Sequence, residues 1–181
     1  MSGKWVELLK EMAPRTTRVA IMFNPETAPY FASFLQPAEA AARAYGIELI
    51  VTPVASEAEI GQTLRSLASR PGGGLVVIPD TFLIERRDMI VPLVHHHRLP
   101  AIYANQTWTR SGGLMAYAAD PVDLMRRAAG YVDRILKGAS PGELPVQQPS
   151  KYEFSINLKT AKALGLDIST NLVALADEVI E

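Results

Sequence analysis

Apolar positions along this chain fall into short continuous runs separated by helical periodicities. The opening "SGKWVELLKEM" places Trp5, Leu8, Leu9 and Met12 on one helical face, and Pro14 closes the segment. "RVAIMF" follows, an unbroken β-branched run of the kind a strand shows when both its faces are covered. "YFASFLQPAEAAARAYG" reads as a helix ended by Gly46, with Pro37 predicting a kink or a restart inside it. "IELIVTPV" is a second strand. "SEAEIGQTLRSLAS" is a helix whose Ser56 and Glu59 stand at capping-box spacing. "LVVIPD" gives a third strand, "TFLIERRDMIVPLVHHHRL" a third helix and "PAIYAN" a fourth strand.

Strand runs alternating with helical patterns predict an α/β fold, a doubly wound parallel sheet covered on both faces. The expected strands are 19–23, Glu48–Pro53, 74–78, Ala101–Tyr103 and, further on, Tyr152–Asn157, where "KYEFSINL" alternates. Between the fourth and fifth lies a different kind of sequence. "GGLMAYAAD" is a short apolar segment with no helix before it. The helix from Val122 to Lys137 then carries a stripe of Leu124, Ala128, Tyr131, Val132, Ile135 and Leu136, with Pro121 near its start and Gly138 at its end. A Pro-rich connector, "ASPGELPVQQPS", leads back.

Composition narrows the chemistry. At 48% hydrophobic and 20% charged residues the chain has the make-up of a folded domain, not a disordered one. A formal net charge of −1 gives no electrostatic reason to expect nucleic acid as a partner. Without cysteine there is no disulfide, thiolate metal site or thiol nucleophile. No GxSxG, no HExxH and no nucleophile beside an identifiable base occurs, so the expectation is a protein that is not an enzyme and uses no cofactor. His95, His96 and His97 do not make a metal site: adjacent helical residues point about 100° apart, and a solvated helix end suits them better. "RPGGG" stands before a strand, the wrong side for a phosphate loop.

Open α/β sheets bind ligands beyond the carboxyl ends of their strands. That rule selects Asn24, Thr27, Asp80, Thr81, Tyr103 and Asn105 as candidate ligand contacts. Each has a structural alternative. Asp80 is placed either to meet a ligand ammonium or to cap the next helix, and the two are compatible. Asn24 and Thr27 either sit at a helix N-terminus suited to a carboxylate or make the turn of an Asn-Pro segment. Tyr103, with Asn105 and Trp108 after it, offers either aromatic surface to a flat ligand or rim packing. Arg126 and Arg127 read as a solvated face.

The segments "KWVELLKEMAPRTTRVAIMFNP", "GGLVVIPDTF", "LPAIYAN", "RRAAGYVDRILKG" and "INLKTAKALGL" together resemble the second half of ABC-transporter substrate-binding proteins of the TrpX-like family, bilobed and periplasmic or lipid-anchored. The resemblance implies a Rossmann-like lobe of a type I periplasmic binding protein. It implies a small organic solute, such as an amino acid, bound between two lobes, and a transporter permease as partner. On that reading residues 1–111 are a ligand-binding lobe, 112–149 are inter-lobe crossings ("GGLMAY" and "LPVQQP") with a helix that belongs to the first lobe, and 150–181 return to complete the lobe. A single lobe is expected to bind weakly, and its uncovered helix to form a homodimer. The family's location is periplasmic; read literally, with no leader before Met1, the chain would be cytoplasmic. The alternative is a stand-alone α/β interaction or signalling domain. A phospho-acceptor domain is disfavoured, because Asn24-Pro25 stands where an acidic pair is needed and no lysine follows the fourth strand.

Overall fold

A computed structural model describes residues 1–181. Seven strands form one sheet in the order β2-β1-β3-β4-β5-β6-β7. They are β1 (Arg18–Phe23), β2 (Glu48–Pro53), β3 (Gly73–Val77), β4 (Ala101–Tyr103), β5 (Met115–Ala119), β6 (Tyr152–Asn157) and β7 (Glu178–Ile180). β1 to β5 are parallel; β6 runs antiparallel to β5, and β7 parallel to β6. The doubly wound α/β fold is therefore as expected, with a reversed pair added at one edge.

Strand alternation sorts the core into two layers. Val19, Ile21, Phe23, Val76, Ile78, Ile102, Met115, Phe154 and Ile156 share one layer with helix α1 (Ser2–Met12) and helix α2 (Ala32–Ala44). Ala20, Met22, Leu75, Val77, Ala101, Tyr103 and Ala116 share the other with α3 (Glu57–Ala68), α4 (Thr81–Glu85), α5 (Arg87–His96) and α6 (Thr107–Arg110). Two short helices, α8 (Leu158–Leu164) and α9 (Thr170–Ala174), finish the first layer.

α1 buries Ser2, Trp5, Val6, Leu8, Leu9 and Met12, two residues more than its predicted face. Trp5 Nε1 donates to the Tyr117 carbonyl at 2.7 Å, tying the first helix to β5. Gly3 lets α2 come close: a Cβ there would stand 3.0 Å from the Pro37 carbonyl oxygen. Pro37 does not restart its helix. α2 runs through it, and the bond lost by the missing N–H falls on the carbonyl of exposed Ser33, which water can satisfy.

Three sequence expectations are corrected. The single helix after β3 is two, broken at Arg86, whose guanidinium lies 3.8 Å from the Phe82 ring centroid and donates to the Phe82 carbonyl at 3.0 Å. "GGLMAY" is not only a crossing: Met115–Ala119 is a strand, held in register with β6 from Met115↔Ile156 to Ala119↔Tyr152. The closing "EVI" is also a strand.

Beyond β5 the chain leaves the sheet as an arm. Asp120 caps α7 (Pro121–Leu136), accepting from the N–H groups of Val122 at 2.8 Å and Asp123 at 3.1 Å. No residue of α7 is buried, and Leu136 is 82% exposed. The helix does not fold back over its own sheet. Its contacts are with the returning connector of the arm: Tyr131 Oη donates to the Pro145 carbonyl at 2.5 Å and Arg127 Nη1 to that of Gln148 at 3.1 Å. At the base, Lys151 Nζ meets Asp120 Oδ2 at 2.7 Å, and the Asp120 N–H donates to the Lys151 carbonyl at 3.0 Å. No helix is long and apolar enough to cross a membrane.

Candidate functional site

The carboxyl ends of β1, β3, β4 and β5 converge on one edge, and most of the predicted contact residues lie there. Asp80 is the centre of it. Its Oδ1 accepts from Thr27 Oγ1 at 2.6 Å, Phe82 N at 2.8 Å and Leu83 N at 3.4 Å; its Oδ2 accepts from Asn24 N at 2.5 Å. Three donors thus share Oδ1, one of them at the long end, while Oδ2 takes a single donor and keeps a lone pair. Asp80 therefore caps α4 and binds the turn after β1 to the turn after β3. Its negative charge remains near the edge, with Oδ1 committed to the fold and Oδ2 only partly so.

Asn24 and Thr27 stand behind Asp80. The Asn24 side chain accepts from Glu26 N at 2.8 Å and Thr27 N at 3.3 Å, and its carbonyl accepts from Ala28 N at 2.9 Å. The amides expected to greet a carboxylate are thus used by the Asn-Pro turn itself. Thr81, the first residue of α4, is exposed. Asn105 is exposed too, and its Oδ1 accepts from Thr107 N at 2.8 Å while its amide nitrogen stays free.

Tyr103 lies elsewhere. As the last residue of β4 it points into the second layer, is 0% exposed, and stacks on Trp108 with ring centroids 4.6 Å apart. Its hydroxyl has no partner, and burial pushes its pKa well above the ordinary phenol value. Tyr103 supports the floor of the edge from below and offers no atom to the surface in this structure.

Two adjoining depressions mark the edge. One, of about 320 Å³, is lined by Pro79, Ala104, Gln106, Ala118, Ala119 and Pro121 among others. The second, of about 200 Å³, is lined by Tyr30, Ile78, Asp80, Thr81, Ile84 and Trp108. They share Pro79, Ala104 and Asn105, so they form one groove with a small apolar floor and a polar rim. Asp80, Thr81 and Asn105 come together here.

Sequence reading missed Tyr30, Gln106 and the Ala118-Ala119 floor. Tyr30 follows Pro29 in a one-turn 3₁₀ helix, and its hydroxyl donates to the Pro79 carbonyl at 2.7 Å across the groove. Burial and the nearby Asp80 carboxylate raise its pKa. The signal was an aromatic residue seven positions after the end of β1. Gln106 is held by a hydrogen bond from its amide to Glu153 on β6, a contact no local pattern shows. His95, the one histidine of the three with a bond to the backbone, meets the Gly112 carbonyl at 2.8 Å; the three do not converge on a common point for an ion.

A sequence model of the family described as ABC transporter substrate binding protein matches residues 2–180. A tyrosine-binding protein of Clostridioides difficile (strain R20291) is 22% identical over 163 residues, which are 90% of this chain and 47% of the relative. Among solved structures, an ABC domain in complex with L-Trp from Streptococcus pneumonia aligns with a TM-score of 0.88 and 23% identity, over 99% of this chain and 60% of that one. A conserved domain protein from Vibrio cholerae aligns with a TM-score of 0.87 and 22% identity, over 98% and 60%. A ligand-free, open substrate binding protein with adhesive properties from Clostridium difficile gives 0.73 and 21%, over 98% and 59%. These structures share the fold, and the chain spans about half the length of the curated relative it matches.

Proposed function

The chain belongs to the ABC transporter substrate-binding protein family, and from that premise we propose that it forms the second lobe of a bilobed solute receptor. One observation carries the reading: the arm, with no buried residue in α7, departs from the same sheet edge that holds the groove. An uncovered amphipathic helix beside a half-open ligand groove is what one wall of a two-walled cleft requires. α7 would dock on the first lobe and bring it over Tyr30, Thr81, Asn105 and Gln106. Ligands held between two lobes are released and captured by closure, without chemistry on the solute.

The solute we propose is an amino acid with an aromatic side chain. One relative is named for tyrosine and one structural neighbour holds L-Trp. Here the apolar floor of Pro79 and Ala104, with Tyr30 on the rim, suits a flat ring. Asn24 and Thr27 act through Asp80, and Tyr103 through Trp108. The receptor would hand its solute to an ABC permease and work outside the cytoplasmic membrane. Without a first lobe, the stripe on α7 favours pairing with a second copy through the arm, which light scattering over a concentration series tests.

Titration calorimetry with L-Trp and L-Tyr checks the central claim. Alone, the chain should bind at about 1 mM or more weakly; joined to a first lobe it should gain at least about a hundredfold. Tyr30→Ala and Asn105→Ala should weaken the two-lobed form. Sub-micromolar binding by the monomer, or two-lobed affinity indifferent to both substitutions, would overturn the reading.

A further inference from the structure

A depression larger than either of those at the carboxyl edge lies away from it. It is a groove of about 560 Å³ between the edge strand β2 and helix α3. On one side stand Glu48, Ile50 and Thr52, the β2 residues that share a face. On the other stand Glu59, Gln62, Thr63, Ser66 and Arg70, whose spacing puts them along one side of α3 and just beyond its end. Arg18 closes the amino end. It is 7% exposed, and its Nη2 donates to the carbonyls of Leu67 at 3.1 Å, Arg70 at 2.6 Å and Pro71 at 3.3 Å. Neither Arg18 nor Arg70 has a carboxylate within ion-pair distance, although Glu48 lines the same end. Arg18 Nε and Nη1 have no protein partner and are not sealed from solvent, so they remain available to the groove.

The rim of this groove is an unpaired strand edge. Glu48 N donates to the Thr17 carbonyl and Val54 N to that of Phe23, both at 2.8 Å. In a parallel ladder the alternate residues face the neighbour. Leu49 and Val51 therefore turn their N–H and C=O groups outward, as Pro53 does its carbonyl. Pro53, having no N–H, leaves no donor idle at the end of the strand. The charges run the same way as the strand: Arg18 and Arg70 at its start, Glu59 near its finish.

We infer that the groove between β2 and α3 receives an extended peptide, antiparallel to β2, with its free carboxyl end at Arg18 and Arg70. The outward groups of Leu49 and Val51 bond its main chain, alternate side chains enter the groove over Ile50, and its amino end lies toward Glu59. An ammonium there meets a carboxylate already oriented by the Ala55 N–H, 2.6 Å from Glu59 Oε2. The surface lies across the sheet from β5 and the arm, so it is independent of solute binding.

A fluorescein-labelled hexapeptide Lys-Val-Thr-Val-Thr-Val with a free carboxyl end, titrated into the full chain by fluorescence anisotropy, tests this. Saturable binding is expected below about 1 mM, weakened roughly fivefold or more by amidating the peptide or by Arg70→Gln. Val51→Pro, which removes one outward donor from an edge position, should weaken it about tenfold while circular dichroism stays unchanged. L-Trp should not displace the peptide. Absence of saturable binding, or equal affinity for the free and amidated peptides, or for the Arg70→Gln and native chains, would overturn the proposal.

Discussion

α1 and α7 carry the same kind of sequence and meet opposite fates. Both are amphipathic, each with a stripe of large apolar residues. α1 buries six of its residues within eleven, down to Leu9 at 0% exposure, whereas α7 buries none in sixteen. The difference lies outside the helices. α1 faces a sheet layer that its own chain supplies, and Trp5 finds a carbonyl on β5. α7 leaves the sheet and meets only the returning connector of its own arm. An apolar stripe states a need for a covering surface; only the rest of the structure says whether this chain provides it.

The sharpest way to break that contrast is to truncate one stripe residue in each helix. Leu9→Ala should cost about 2–5 kcal/mol of unfolding free energy by urea denaturation, because a closed core cannot collapse around the hole. Ile135→Ala should stay within about 0.5 kcal/mol in a monomer. A large loss at Ile135 would mean that the arm packs on something in solution. Next in size is the carboxylate that joins the lobe's turns. Asp80→Ala strips four donors of their acceptor and should destabilise by roughly 2–4 kcal/mol in the same assay, with no counterpart anywhere in α7. Trp5→Phe keeps most of the packing and removes one bond, so about 1 kcal/mol is expected.

The smallest effect belongs to the arm's own fastening. Lys151 and two backbone N–H groups lower the Asp120 pKa below the usual carboxylate value. A carboxyl group depressed in the folded state stabilises above its unfolded pKa, and that contribution fades as pH falls through the lower folded one. Lys151 is shifted upward by the same contact, so its share is full below the ordinary lysine pKa and fades above it. Protection of the α7 amides, taken as exchange relative to the intrinsic rate at each pH, should therefore be highest across the neutral range and fall in acid below about pH 4, while α1 keeps its protection. Lys151→Met should flatten much of that acid dependence; an unchanged profile would show that the pair does not hold the arm.

The lobe was legible where the signal is local. β1 to β4 announce themselves as continuous apolar runs with turn residues at their ends. β5 does not: three of its five residues are alanine, a weak strand former, and its register comes from β6, far along the chain. The break at Arg86 has no Gly or Pro to mark it, because it is set by the Phe82 ring and the Glu57 carboxylate. At the candidate site, the rule about carboxyl ends selects an edge that does carry a groove. It could not tell which way each side chain turned. Strand alternation sends Tyr103 down onto Trp108, and long-range bonds to the turn after β1 give Asp80 a framing role beside its cap.

The arm is joined to the lobe by two strands lying side by side, not by one. β5 carries the chain out and β6 carries it back, paired over five positions up to Ala119↔Tyr152 and fastened there by Asp120 and Lys151. A single strand is a swivel, free to turn about its own bonds. A two-stranded ribbon is a leaf spring: it flexes across its face but resists twisting and sideways shear, because either would break the ladder. A partner docked on α7 would thus be held to one arc of approach, and a push on the arm would reach the sheet as torque at β5 and β6, of which β5 lines the groove.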